Sequence, residues 1–294
     1  MELTQLRYFQ AAASYEHISR AAEALNISQP ALSTMISRLE KELGVSLFDH
    51  NGRSVVLNEN GHRFLKRVNR ILSEVDSSKR ELQEMANIAD TTISLAVSSS
   101  QFLQGMHTFT EEHKDYKWDL RAADTKEIVS MLNLGQIDFA VTSPGIYDPD
   151  YRSILLAKDA FRLAVHKDNP LSQRKSVRLR DIQNERFIML LKGLPFRVQT
   201  DQIFSDLGFS PMHSMECDHL LRRELINSNA GVTIASESAL FRHLYSEDIR
   251  FLDIKDVPHT REIVLTYPKN RYLSKAAKEF IKFLELKFSQ NYFS

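Results

Sequence analysis

Apolar residues recur at Leu32, Ile36, Leu39 and Leu43, in steps of four, three and four, which defines one face of an amphipathic helix. Gln29, Ser33, Thr34, Ser37 and Arg38 fall largely on the opposite side. Ser28 is placed as N-cap and Gly44 as C-cap, and Pro30 stands in the first turn, where its missing N–H costs nothing. Ahead of this helix, Ala21, Ala22 and Ala24 let a short helix approach closely, with Leu25 and Ile27 plugging the angle. Leu6, Phe9 and Ala13 mark a further helix that can pack across the pair. Leu47-Phe48 then returns to the core. His50-Asn51-Gly52-Arg53 predicts a hairpin tip on the Asn-Gly turn signal, and Ser54 to Leu57 supplies the second strand. Helices followed by a hairpin with Arg at its tip describe a winged helix-turn-helix over residues 1–58. The polar face of its second helix carries amides, hydroxyls and a guanidinium, which suit hydrogen bonding to base edges and phosphates.

The next segment has a different period. Phe64, Val68, Ile71, Val75, Ser78, Leu82 and Met85 step by 4, 3, 4, 3, 4 and 3, a heptad seam with one polar position. Asn58 is a good N-cap, and Gly61 reads as a minor flaw in the first turn. A helix from about Asn58 to Ile88 would be roughly 46 Å long at ~1.5 Å per residue. Lys66, Arg67, Arg70, Glu74, Lys79, Arg80, Glu81 and Glu84 flank the seam, so the dry stripe is narrow. That favours a partner helix, parallel or antiparallel, over burial in a broad core. Residues 59–90 are therefore expected to form a linker and dimerisation helix, with Phe64, Val68, Ile71, Val75, Leu82 and Met85 in contact.

Beyond residue 90 the texture becomes mixed. Strand patterns at Ile93–Val97, Trp118–Ala122 and Asp138–Thr142 alternate with helical ones at Phe102–His113 and Lys126–Leu134. One or two strands follow in Ile154–His166. Strands at Phe187–Leu190, Met212–Cys217 and Val232–Ala235 then alternate with helices at Val198–Leu207 and His219–Asn227. Ile263 to Tyr267 is a late strand, and Leu273 to Phe288 a closing helix with Ala276, Phe280, Phe283, Leu284 and Phe288 on its apolar face. This order argues for two α/β units, the two-lobed fold of periplasmic binding proteins. Periodicity alone leaves open which lobe the last strand joins.

The run from Leu6 to Leu65 resembles the DNA-binding region of LysR-type transcriptional regulators. The matching residues are Ala21-Ala22, Ser28-Gln29-Pro30-Ala31-Leu32-Ser33, Ile36, Leu39-Glu40, Leu43-Gly44 and Leu47-Phe48. Members usually carry Arg at the position of His50, and Arg53 is placed to supply that charge. The resemblance implies subunits paired through the long helix. It also implies a return of the last strand to the first lobe, giving lobe one as about 91–160 plus 267–294 and lobe two as about 161–266. Leu225 to Ala235 is similar to a helix-to-strand turn of the family's effector-binding region, with Asn229 where Gly is usual and Ser236 where Pro is usual. Asn tolerates the left-handed conformation better than most residues.

Composition narrows the function classes. Lys plus Arg equals Asp plus Glu at 38 each, and residues 1–70 hold nine of the former and seven of the latter. DNA affinity must then rest on where the cations sit and not on a bulk basic field. Cys217 is the only cysteine, so no intramolecular disulfide forms, and a small buried side chain is its expected role. Met1 leads directly into polar residues with no signal-peptide pattern, and no apolar run approaches ~20 residues, so a cytoplasmic protein without membrane contact is expected.

In open α/β sheets a ligand lies beyond the carboxyl ends of the strands. Those ends carry Ser98, Ser99 and Ser100, Thr142, the segment with Pro195, Phe196 and Arg197, and Ser236. These residues are the expected effector contacts, for a polar or anionic small molecule at helix N-termini. Catalytic signatures are missing: there is no Gly-x-Ser-x-Gly, no His-Glu-x-x-His, no phosphate-binding Gly-rich loop and no metal-spaced Cys/His cluster. The reading is a homodimeric or tetrameric bacterial transcription regulator, with no catalytic residue, cofactor or metal. Its expected partners are double-stranded DNA, a small effector, itself and the transcription machinery. Ser28, Gln29, Pro30, Ser33, Thr34, Ser37, Arg38 and Arg53 are its expected DNA contacts. The alternative is a cytoplasmic binding module with an N-terminal interaction domain and no regulatory role.

Overall fold

The computed structural model describes residues 1–15, 17–51, 54–86, 91–236, 245–257 and 260–290. The N-terminal head is built from α1 (Leu3–Tyr15), α2 (Ile18–Ala24), α3 (Gln29–Leu43) and the hairpin β1 (Phe48–Asn51) and β2 (Ser54–Leu57). The Ser28 hydroxyl accepts from the Ala31 N–H at 3.3 Å, and Gly44 closes α3 at φ +72°, a conformation that favours glycine. Ala21, Leu32 and Leu39 are fully buried around Phe9, whose ring lies 5.5 Å from Phe48 and 5.1 Å from Phe64. The Glu40 carboxylate accepts from the Leu47 N–H at 2.7 Å, which ties the end of α3 to the start of the wing. In that wing Asn51 pairs with Ser54, so Asn51 belongs to the ladder and not to the turn. Gly52 and Arg53 lie outside the described residues.

Helix α4 (Glu59–Met85) is capped by Asn58, whose side-chain oxygen accepts from the Gly61 N–H at 3.0 Å. Gly61, expected as a flaw in the first turn, is required there. A Cβ on Gly61 would meet the Leu47 carbonyl oxygen at 2.1 Å and a Leu57 methyl at 2.7 Å. Glycine is what lets α4 lie against the wing. Gly61→Ala is expected to destabilise the head by about 1–3 kcal/mol, the usual cost of overpacking. Urea unfolding of the intact protein reads this, and an unchanged midpoint would contradict the close approach.

The C-terminal domain is organised around one long strand. β6 (Tyr151–His166) pairs along its first part with β12 (Thr260–Pro268) and along its last part with β10 (Thr233–Ser236) and β11 (Ile249–Ile254). On the first side, β12 is antiparallel to β5 (Phe139–Thr142), and β5, β3 (Thr92–Val97) and β4 (Lys117–Ala122) run parallel. On the second side, β11 carries β7 (Ser176–Val177). There β8 (Arg186–Leu190) pairs with β9 (His213–Cys217) and bridges to Val232. Each side has its own main core. One gathers Leu95, Phe139, Leu265 and the C-terminal helix Lys275–Gln290 through Phe280, and the other gathers Leu163, Phe187, Phe204 and Leu252.

Two expectations change. The late strand, expected over Ile263–Tyr267, runs from Thr260 to Pro268 and reaches β5 through Val264–Thr266. The helix expected over Phe102–His113 is split by Gly105, at φ +73°, into a 3-10 turn (Ser100–Leu103) and α5 (Met106–Glu112). Asn229 does take the left-handed conformation, at φ +58°.

Helix α4 also lies along lobe one. The Ser77 hydroxyl accepts from the Tyr272 N–H at 2.8 Å, Arg70 pairs with Asp150, and Arg80 pairs with Asp138. The head itself touches this lobe, because the Gln10 amide donates to the Asn133 carbonyl, at the end of α6 (Thr125–Asn133), at 3.1 Å.

Candidate DNA interface and effector cleft

The two faces of α3 are cleanly divided. Leu32, Ile36 and Leu39 are buried, while Ser28, Gln29, Pro30, Ser33, Thr34, Ser37 and Arg38 are exposed. No carboxylate occurs on α3 before Glu40, so nothing in its first turns repels phosphate. Ser28 is occupied by capping. The Ser19 hydroxyl donates to the Gln29 side-chain oxygen Oε1 at 3.0 Å, which leaves both amide hydrogens of Gln29 for an outside acceptor. Ser19 was not marked by the sequence, because its role comes from the crossing of α2 and α3.

Between the lobes lies a narrow cleft of about 30 Å³. Of the expected contacts, Ser98, Ser99, Pro195, Phe196 and Ser236 line it. Ser143 lines it beside them, with its hydroxyl and that of Ser236 shut off from solvent and without a hydrogen-bond partner among the described residues. Thr142 is fully buried behind this wall, its hydroxyl likewise unpartnered there. Ser100 is exposed and outside the lining, and Gln101 and Phe102 stand in its place. Gln199, from α7 (Pro195–Leu207), donates across the cleft to the Ser143 carbonyl at 3.0 Å.

Arg197 is the clearest correction. It is buried, but its guanidinium donates to Asp201 at 2.6 Å, to Glu216 at 3.0 Å and to the Leu190 carbonyl, and it does not line the cleft. The cleft cations are instead Arg222, on α8 (His219–Asn227), and Arg261, on β12. Both are buried and lie over the Phe196 ring, at 5.5 and 5.0 Å from its centre. Asp159 is 4.0 Å from Arg261, whereas no carboxylate pairs with Arg222 among the described residues. His219 completes the wall. Burial, and then Arg222, lower its imidazole to about 4, so the ring is neutral near pH 7. Both arginines had a legible signal. Arg222 shares the inner face of α8 with Ile226, and Arg261 shares the inward register of β12 with Ile263 and Leu265.

Residues 3–62 match the model for bacterial regulatory helix-turn-helix proteins of the lysR family, and residues 90–288 match that for the LysR substrate binding domain. The chain belongs to the LysR family. It is a LysR-type transcriptional regulator, not an enzyme, and its partners are DNA, a small-molecule effector and copies of itself. It is similar to the transcriptional dual regulator GltC of Bacillus subtilis, at 30% identity over 99% of this chain and 98% of that one. It is also similar to BenM of Acinetobacter baylyi, at 31% identity over 84% of each chain. The crystal structure of full-length BenM covers all of this chain and 99% of its own, with a TM-score of 0.58 and 26% identity. A full-length OxyR variant from Pseudomonas aeruginosa has the same fold, with a TM-score of 0.66 at 21% identity over 98% of this chain and 94% of its own.

In this LysR-type regulator the seam of α4 divides in two. Phe64 and Val68 pack into the head core with Phe9 and Leu72, so they are withdrawn from the expected dimer contacts. Ile71, Val75, Leu82 and Met85 are exposed. Among the described residues no group of three His, Cys, Asp or Glu is placed to hold a metal, and no helix is long and apolar enough to cross a membrane. Cys217 is buried, and burial raises its thiol, which fits a packing role.

Proposed function

We propose that α3 enters the major groove, with Gln29, Ser33, Thr34, Ser37 and Arg38 reading or positioning it and the Pro30 ring against a thymine methyl. The observation that carries this reading is the exposed, carboxylate-free face of α3 set on a fully buried apolar one. Ser28 acts as cap, and Arg53, outside the described residues, takes phosphate. The protein works in the cytoplasm.

The interlobe cleft takes a small anion. Support comes from the buried guanidiniums of Arg261 and of Arg222, the latter with no carboxylate partner among the described residues, and from hydroxyls that lack partners there, since buried polar groups need them. At about 30 Å³ the cleft has room for little more than water, so a larger effector requires the lobes to part where β6 and β12 cross between them. Copies pair through α4 in antiparallel fashion. Its first half bears Arg63, Lys66, Arg67 and Arg70 against Glu59, and its second half bears Glu74, Asp76, Glu81 and Glu84 against Lys79 and Arg80, so one half is net basic and the other, with exposed Leu82 and Met85, net acidic. Antiparallel pairing sets these opposite charges together.

Ser33→Ala and Gln29→Ala are each expected to weaken operator binding by about 1–3 kcal/mol, the worth of a good base contact, with the unfolding midpoint unchanged. Gel-shift titration on the natural operator measures it. Full affinity in both variants would remove this face from recognition.

A further inference from the structure

A second cavity, of about 590 Å³, lies where α4 passes over lobe one. It is much larger than the interlobe cleft and falls within the range of small-molecule sites. One wall is apolar, formed by Leu65, Val129, Leu132 and Tyr151. The rim is cationic, with Lys66, Arg70 and Lys269 against Asp148 and Asp150, while Arg63 beside them is paired with Glu59 at 2.7 Å. Lys66, at 3.5 Å, and Arg70 share the single carboxylate of Asp150. No carboxylate pairs with Lys269 among the described residues. The Ser73 hydroxyl on the α4 side is shut off from solvent and has no hydrogen-bond partner among the described residues.

We propose that this junction is a second ligand site, separate from the interlobe cleft, for an organic anion with an apolar body. Its acid group sits against Lys269 and the Lys66–Arg70 side, and its body packs on Leu65, Val129 and Leu132. Excess positive charge on the rim attracts the acid group, and the apolar wall rejects a fully hydrated ion such as phosphate. The walls belong to the helix that carries the DNA-binding head and to the lobe that receives effector. A ligand here therefore joins the two, and it alters DNA affinity by as much as it prefers one arrangement of them.

Fluorine NMR of trifluoromethyl-phenylacetate with the intact protein tests the site, with inorganic phosphate as the comparison anion. The expected result is saturable line broadening by the aromatic acid and none by competition from phosphate. Lys269→Glu changes an exposed side chain and is expected to weaken binding about tenfold by charge reversal. Val129→Trp fills the cavity and is expected to abolish binding. Gln199→Trp fills the interlobe cleft and is expected to leave binding intact. No broadening up to ~10 mM, a weak affinity by any standard, overturns the proposal. So does binding that survives both junction variants or vanishes in Gln199→Trp. DNA binding by the head is read separately in gel shifts, so loss of this site does not touch the recognition reading.

Discussion

Asp138→Ala is expected to cost about 3–5 kcal/mol of stability, the penalty for stranding a buried charge. Asp138 is 2% exposed and precedes β5. One of its oxygens accepts from the Ser94 N–H at 3.1 Å, and the other faces Arg80 of α4 and Arg271, the latter at 3.3 Å. Burial lowers the affinity of the Arg271 guanidinium for its proton, and the Asp138 charge is the main influence in the other direction. Without Asp138, the Arg271 guanidinium keeps, among the described residues, its bond to the Gly135 carbonyl at 2.8 Å. It cannot swing out freely either, because it lies close over Gly135, where even a Cβ would come within 2.8 Å of it. Arg80→Ala is a useful contrast. The Arg80 side chain is one-third exposed, so its removal is screened and is expected to cost only about 1 kcal/mol. Calorimetry of the two variants separates the roles. A melting curve for Asp138→Ala that overlays the parent would refute the buried-charge argument.

What could be read in advance depended on how local the cause was. The α3 face was legible because Leu32, Ile36 and Leu39 repeat within one helix, and its ends carry Ser28 and Gly44 in the positions that caps require. Gly61 was misread because the atom that forbids a side chain there, the Leu47 carbonyl oxygen, comes from a segment fourteen residues earlier. Arg197 was misread for a related reason. Its place in the first turn of α7 suits an anion, but Glu216, from β9, and Asp201 saturate it. The heptad seam of α4 was legible as apolar, yet a period cannot say which surface covers it. Phe64 and Val68 meet α1 of their own head, and only the rows beyond are left for another chain. Arg222 and Arg261 come together only because β6 carries the chain between the lobes and β12 brings it back. Their inward registers were written in the sequence, but their meeting was not.

Leu82→Glu is expected to weaken binding to a two-half-site operator by about 10²–10³-fold while leaving the affinity of each head for one half-site unchanged, because linked heads bind with avidity. Leu82 is 66% exposed and Met85 76% exposed, an arrangement that costs about 1.5–3 kcal/mol per side chain unless another surface covers them. A groove of suitable shape exists on the head, where Leu43, Val45 and Phe64 meet the basic side of α4 at Arg63 and Arg67. Val45 there is itself exposed. The same chain cannot fill it. Leu82 lies eighteen residues past Phe64 on a straight helix, roughly 27 Å away at ~1.5 Å per residue. An antiparallel partner brings its own Leu82 to this groove, with Glu81 toward Arg63. Symmetry then repeats the contact, so each substitution is felt twice. Cysteine pairs decide the direction. Val45→Cys combined with Leu82→Cys is expected to cross-link subunits on oxidation, since a disulfide needs Cα atoms within about 7 Å. Leu82→Cys alone is expected to stay uncoupled, because an antiparallel pair holds the two copies of residue 82 at opposite ends. A parallel pair sets residue 82 against itself, so rapid self-coupling of that single variant, with none between 45 and 82, would reverse the assignment.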